Sequence, residues 1–99
     1  MIRKLVPIPP GEFLFEEFMK PLGVSRNRLA RDIEIPVSRV SEIVRGNRAV
    51  TADAALRLGA YFGTSAEMWL NLQSDYDLRK ARAADWLVVK QRIRPLKAA

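Results

Sequence analysis

The chain has 99 residues, neither cysteine nor histidine, and a net charge of +6 from 17 Lys and Arg against 11 Asp and Glu. With 48% apolar residues it can bury an ordinary single-domain core unaided, and the missing residue types exclude disulfides, thiol or imidazole catalysis and nearly every transition-metal site. A basic excess of this size suits a polyanionic partner, because each phosphate neutralised releases condensed counterions, although it also serves plain solubility. Its distribution favours the first reading. Arg26, Arg28, Arg31, Arg39, Arg45 and Arg48 crowd one segment against Asp32, Glu34 and Glu42, and the basic groups between Arg79 and Lys97 face Asp85 alone. Glu12, Glu16 and Glu17 gather elsewhere, which implies a second, oppositely charged face and a second partner. No apolar run approaches the ~18 residues that cross a bilayer, and the opening MIRKLVPIPPGEF lacks a signal-peptide core, so a cytoplasmic protein without membrane partners is expected.

In chain order, Pro9-Pro10-Gly11 opens a first helix with Phe13, Leu14, Phe18 and Met19 as apolar positions. Lys20-Pro21 is expected to end it, since the residue before proline is pushed from the helical region. Phe15 falls on a different side from Phe18 and is expected to be exposed for a partner. Ser25 fits an N-cap for a second helix reaching Ile33, with Leu29, Ala30 and Ile33 inward. A third runs from Pro36, placed in its first turn, to about Arg45, with Val37, Val40, Ile43 and Val44 apolar and Gly46 closing it in the left-handed conformation.

Thr51 can cap a fourth helix carrying Ala55, Leu58, Tyr61 and Phe62, stopped by Gly63. Thr64-Ser65-Ala66-Glu67 has the spacing of a capping box, and the helix it opens should reach about Arg82 with Trp69, Leu72 and Tyr76 on one side. In the segment Asp85 to Ile93, Trp86, Val89 and Ile93 have helical spacing. Helix is favoured over strand there, because a strand would lack a partner. The expected fold is all-α: a five-helix domain over residues 1–82 with a helical or irregular basic extension over 83–99.

The chemistry concentrates in SRNRLARDIEIPVSRVSEIVRGNR, residues 25–48. Two short amphipathic helices joined by a tight turn, about residues 25–45, are what a helix-turn-helix needs to lay its second helix in a DNA major groove. With Val40, Ile43 and Val44 inward, that helix presents Val37, Ser38, Ser41 and Glu42, with Arg39 beside them. The serines can bond several base edges, whereas Arg39 can read guanine bidentately, worth ~1–3 kcal/mol of discrimination. Glu42 can accept from cytosine or orient Arg39 or Arg45. Arg26, Arg45, Asn47 and Arg48 sit where phosphates are touched, which fixes register without reading sequence.

The spacing of Ser25, Leu29-Ala30, Ile33, Ile35, Val40-Ser41, Ile43, Gly46 and Arg48 resembles the helix-turn-helix of lambda-repressor-like (Cro/repressor, XRE-type) domains. Three blocks, PPGEFLFEEFMKPLGVS, IPVSRVSEIVRGNRAVTADAALRLGAYFGTSAEMWLNLQ and SDYDLRKAR, are similar to HigA-family (VapI-like) antitoxins of type II toxin–antitoxin modules, over roughly residues 9–82. The resemblance implies a homodimer that represses its own operon at a palindromic operator and neutralises a RelE-like (HigB-type) ribonuclease toxin. Two positions depart from the pattern. Glu34 stands at the turn where glycine is usual and must adopt an unusual backbone conformation, and Arg26 replaces a common glutamine.

Trp69, Leu72 and Tyr76 are read as core or dimer contacts. Glu12, Phe15 and Glu16 are read as candidate toxin contacts, the acids serving equally as favourable charges at a helix N-terminus. The basic tail has three readings: solubility, added phosphate contacts or toxin docking. No cofactor or metal is implied. A nuclease lacks obvious general-base or metal-ligating residues. A stand-alone helix-turn-helix regulator, or a protein-binding module that keeps the fold, remains a rival that the residues barely separate from an antitoxin.

Overall fold

Hydroxyl side chains set three of the helix starts. In this computed structural model, which describes residues 7–97, Ser25, Thr51 and Ser65 each accept a hydrogen bond from the backbone N–H three residues on. Residues 1–6 and 98–99, which begin and end the expected domain and tail, lie outside the described residues. The described residues form six helices and no strand.

Helix α1 runs in three continuous pieces, Pro10–Leu14, a wider π-turn Phe15–Met19, and Lys20–Leu22. It therefore passes through Lys20-Pro21, where an end was expected, and stops at Gly23 instead. The N–H of Lys20 donates to the Phe15 carbonyl five residues back, so Pro21 enters a turn already widened and its missing N–H is accommodated. The same wide turn rotates Phe15 inward. It is half-buried against the core rather than exposed.

Helix α2 (Arg26–Ile33) ends at Glu34, whose φ of 60° makes it the single non-glycine residue with positive φ among the described residues. The Ile35 N–H then folds back onto the Ala30 carbonyl at 3.1 Å, which closes the α2 end. Helix α3 (Val37–Val44) follows, with Pro36 as its extended N-cap rather than inside its first turn. Gly46, at φ 82°, closes α3 as expected, and the Asn47 N–H reaches the Glu42 carbonyl at 2.8 Å.

Helix α4 (Ala52–Phe62) and helix α5 (Ala66–Ala83) form an antiparallel pair, and α6 (Trp86–Arg92) completes the chain as a helix. The expected capping box gives way to a simple hydroxyl cap one residue later. Ser65, not Thr64, caps α5, because the Thr64 hydroxyl is committed to accepting from the Trp69 indole N–H at 2.9 Å.

Leu14, Met19, Leu29, Val40, Leu58 and Trp69 are fully buried at the centre. Around Trp69 the rings of Phe13 and Phe18 lie at centroid distances of 6.0 and 5.3 Å, and Phe62 extends the group at 5.0 Å from Phe18. Such offset and edge-on rings add attraction beyond their burial. The first turn of α1 packs directly on the backbone of α3. At Gly11 a Cβ would overlap the Ile43 carbonyl oxygen, so only glycine lets the two helices approach this closely.

Candidate nucleic-acid interface

Val40 and Ile43 bury one stripe of α3, and this orientation turns the opposite stripe outward. Val37 is 43% exposed and Ser38 is exposed, while Arg39, Ser41 and Glu42 are half-buried along the same side. Val37, an apolar residue read as outward-facing, is thus exposed beside Ser38. An exposed branched side chain there suits contact with a thymine methyl. Arg26, half-buried at the start of α2, and Arg45, Asn47 and Arg48, exposed just beyond α3, rim that surface.

The cations on this rim differ in their partners. Arg26 and Arg45 make no ion pair with another described residue. Arg48 donates through Nε to Glu42 Oε1 at 2.7 Å. Glu42 therefore orients Arg48, rather than Arg39 or Arg45 as expected, because the turn at Gly46 folds Arg48 back over the last turn of α3. Arg39 is instead 3.9 Å from Asp53 of α4.

Asp53 and Arg57 were not singled out by the sequence pattern. Arg57 Nε donates to Asp53 Oδ2 at 3.0 Å, and its Nη1 donates to the Ile33 carbonyl at 2.7 Å and reaches that of Glu34 at 3.4 Å. Those carbonyls lie at the negative end of α2, where a cation is favourable. The signal available in sequence was the i, i+4 Asp–Arg spacing, which by itself reads as an ordinary surface pair. Gln73 was missed as well. Buried at 9% exposure, it accepts from the Val50 N–H at 2.7 Å and donates to Asp77 at 3.0 Å, tying α5 to the segment after α3.

On the neighbouring face, Tyr61 O–H donates to Asp32 Oδ2 at 2.7 Å, with Arg28 and Arg31 close by. That hydrogen bond, aided by Arg28, holds the Asp32 carboxyl below the usual carboxylate range, and the same bond raises the Tyr61 phenol above its ordinary value.

Of the residues read as core or dimer contacts, Trp69 is fully buried and Leu72 is half-buried against the core. Tyr76 is half-buried, with Lys80 5.2 Å over its ring, beside a groove of about 210 Å³ between the start of α1, the Asn47-Arg48 turn and α5. Glu12, Glu16 and Glu17 are exposed along α1, and Glu16 pairs with Lys20 at 3.7 Å. Large exposed apolar residues are most frequent late in the chain, at Leu78, Trp86, Leu87, Val88, Ile93 and Leu96, with Ile8, Leu22, Val37 and Leu56 scattered elsewhere. Among the described residues no helix is long and apolar enough to cross a membrane, and no cluster of acidic side chains could hold a metal ion.

The pairing of two short helices across a tight turn is also found in known proteins. The family model described as helix-turn-helix matches residues 15–69. Virulence-associated protein I of Dichelobacter nodosus is 53% identical over 74 residues, 75% of this chain and 68% of that protein. The structure of Pseudomonas aeruginosa antitoxin HigA with the higBA promoter superposes with a TM-score of 0.87 at 45% identity, over 92% of this chain and 99% of that one. The chain belongs to the HigA (VapI-like) family of helix-turn-helix proteins. Relatives also include an uncharacterised helix-turn-helix-type transcriptional regulator of Escherichia coli K12, 38% identical over 72 residues, 73% of this chain and 64% of its own length. HigA-family membership fits the all-helical architecture.

Proposed function

We propose that this protein is a DNA-binding antitoxin: a homodimeric, sequence-specific repressor of its own operon that also neutralises a RelE-like (HigB-type) ribonuclease toxin. The observation that carries the DNA-binding part is the free outer stripe of α3, Val37, Ser38, Arg39, Ser41 and Glu42, rimmed by Arg26, Arg45, Asn47 and Arg48. A homologue at 45% identity is an antitoxin described with promoter DNA, which supports the same use of the surface here. In this reading Arg39 reads a base, the serines and Val37 contact base edges, and Arg26, Arg45 and Arg48 hold phosphates.

A palindromic operator requires two copies with their α3 helices about one DNA turn (~34 Å) apart. The exposed apolar residues of α6 are the surface that a second copy would cover, in place of Trp69, whose ring is spent on the core. The toxin is assigned to the acidic face of α1, Glu12 and Glu16 with Glu17, through charge complementarity with a basic ribonuclease. Phe15 contributes there only after its half-buried ring is uncovered.

Gel shifts with the DNA immediately upstream of its own gene, with and without the protein encoded next to it, test both halves. The expected result is a salt-sensitive complex, log–log slope about −0.9 per phosphate neutralised, together with inhibition of the neighbour's ribonuclease activity. A flat salt response contradicts the DNA reading. DNA binding without any inhibited neighbour leaves a stand-alone regulator, the second reading.

A further inference from the structure

Arg39 faces a carboxylate, Asp53 at 3.9 Å, that comes from outside the two helices of the helix-turn-helix. We infer that Asp53 and Arg57 of α4 are positioning residues for base recognition, fixing the Arg39 guanidinium to the turn between α2 and α3 and holding it back from non-operator phosphates. The inference rests on the reading of Arg39 as a base contact.

A single line of contacts carries it. The left-handed Glu34 leaves the Ile33 and Glu34 carbonyls open at the end of α2, and Arg57 Nη1 sits on them at 2.7 and 3.4 Å. The same guanidinium holds Asp53 Oδ2 through Nε at 3.0 Å, and that oxygen is 3.9 Å from Arg39 Nη1. The turn geometry is thereby passed to the recognition side chain through two charges. The side chains of Arg39, Arg57 and Asp53 are 36%, 38% and 57% exposed, and exposed ion pairs contribute little to stability. Folding accounts for Arg57 on the α2 carbonyls but gives little reason for placing Asp53 beside Arg39.

Recognition gives a better one. Arginine has several rotatable bonds, and holding its planar fork in one orientation before binding removes a cost that would otherwise fall on the complex. Its five donors let one edge remain on Asp53 while another meets a guanine. The carboxylate also competes with phosphates for the Arg39 guanidinium when no matching base is offered, so through Arg39 it weakens binding to unrelated sequence more than to the operator.

The test uses the full chain, a duplex spanning the DNA immediately upstream of its gene, and a scrambled duplex of equal length and composition. Affinities are measured by fluorescence anisotropy across a salt series for wild type, Asp53→Asn, Asp53→Glu, Arg39→Ala and the Asp53→Asn/Arg39→Ala double variant. Asp53→Asn should lower the ratio of specific to scrambled affinity about tenfold, a typical loss for one displaced base contact. It should do so partly by tightening scrambled binding, with a salt slope steeper by about 0.9, one more phosphate engaged. Asp53→Glu should restore most of the ratio, and Asp53→Asn should change nothing further once Arg39 is alanine.

A role confined to α4 stability would instead lower the melting temperature and weaken both duplexes equally; that pattern overturns the inference. If Arg39→Ala destroys the ratio and Asp53→Asn leaves it intact, the positioning role alone is wrong. If Arg39→Ala leaves the ratio unchanged, or wild type shows no preference for the upstream duplex, the base-reading role of Arg39 falls and the inference with it.

Discussion

Helix α3 is gripped from several directions, whereas α6 projects from the end of α5 with its apolar side chains in solvent. α1 presses on the α3 backbone through Gly11, Gln73 holds the segment that follows it, and Asp53 reaches its Arg39. On α6, Leu87 is 71% exposed and Val88 59% exposed, and no described residue covers them. The difference teaches which surface is ready for its partner and which is waiting for one. A polar face that must match base edges gains from rigidity before binding. An apolar face gains instead from being covered by another surface.

The comparison breaks most severely at the α1–α3 contact. Gly11→Ala places a Cβ on the Ile43 carbonyl oxygen and should destabilise the fold by about 3 kcal/mol, read by urea denaturation, with DNA binding lost in parallel. Retained wild-type stability would show that α3 does not depend on this close packing.

The second test lies on α6. Leu87→Asp with Val88→Asp should leave the helix-turn-helix folded, since both side chains are exposed, yet turn the proposed dimer into a monomer by light scattering. Affinity for a two-half-site operator should then fall about a hundredfold, because the second half-site is no longer tethered. An unchanged mass would move the dimer surface away from α6.

A smaller effect sharpens the turn. Glu34→Gly removes the strain of a non-glycine residue at φ 60° and should stabilise the protein by about 1 kcal/mol in thermal unfolding. A loss of stability there would mean that the Glu34 side chain contributes more than its backbone costs.

The smallest effect concerns Tyr61→Phe, read as stability against pH. Asp32 is held below its ordinary range, so its contribution is present above the unfolded carboxylate pKa and is lost as pH falls through the depressed value. Tyr61 is raised, so its contribution is present below the ordinary phenol range and is lost as pH rises through the raised value. The variant should therefore be slightly less stable near neutrality, with the difference shrinking at both extremes. A pH-independent difference would assign the effect to packing instead.

Much of this arrangement was legible in the residues. Ser25, Thr51, Gly46 and Gly63 punctuate the chain with local chemistry that acts within a turn or two, so the helix limits there followed from spacing. The misplacements arose where a distant partner intervened. Thr64 fits a cap by spacing but is claimed by Trp69, and Pro21 fits a helix stop but is admitted by the π-turn that precedes it. In the site, the outward stripe of α3 followed from periodicity. The pairing of Glu42 with Arg48, and the link from Ile33 through Arg57 and Asp53 to Arg39, did not. The first depends on the turn at Gly46 folding back over α3, the second on how α4 lies across the α2–α3 turn, and helical periodicity encodes neither.

Backbone amide chemical-shift mapping of the full chain, titrated with its own upstream duplex, addresses the central claim most directly. The account predicts that residues 37–42 of α3, with Arg26 and the Arg45–Arg48 turn, shift most, while the acidic face of α1 stays unchanged. Perturbations concentrated on α1 or α6, with α3 silent, would contradict it.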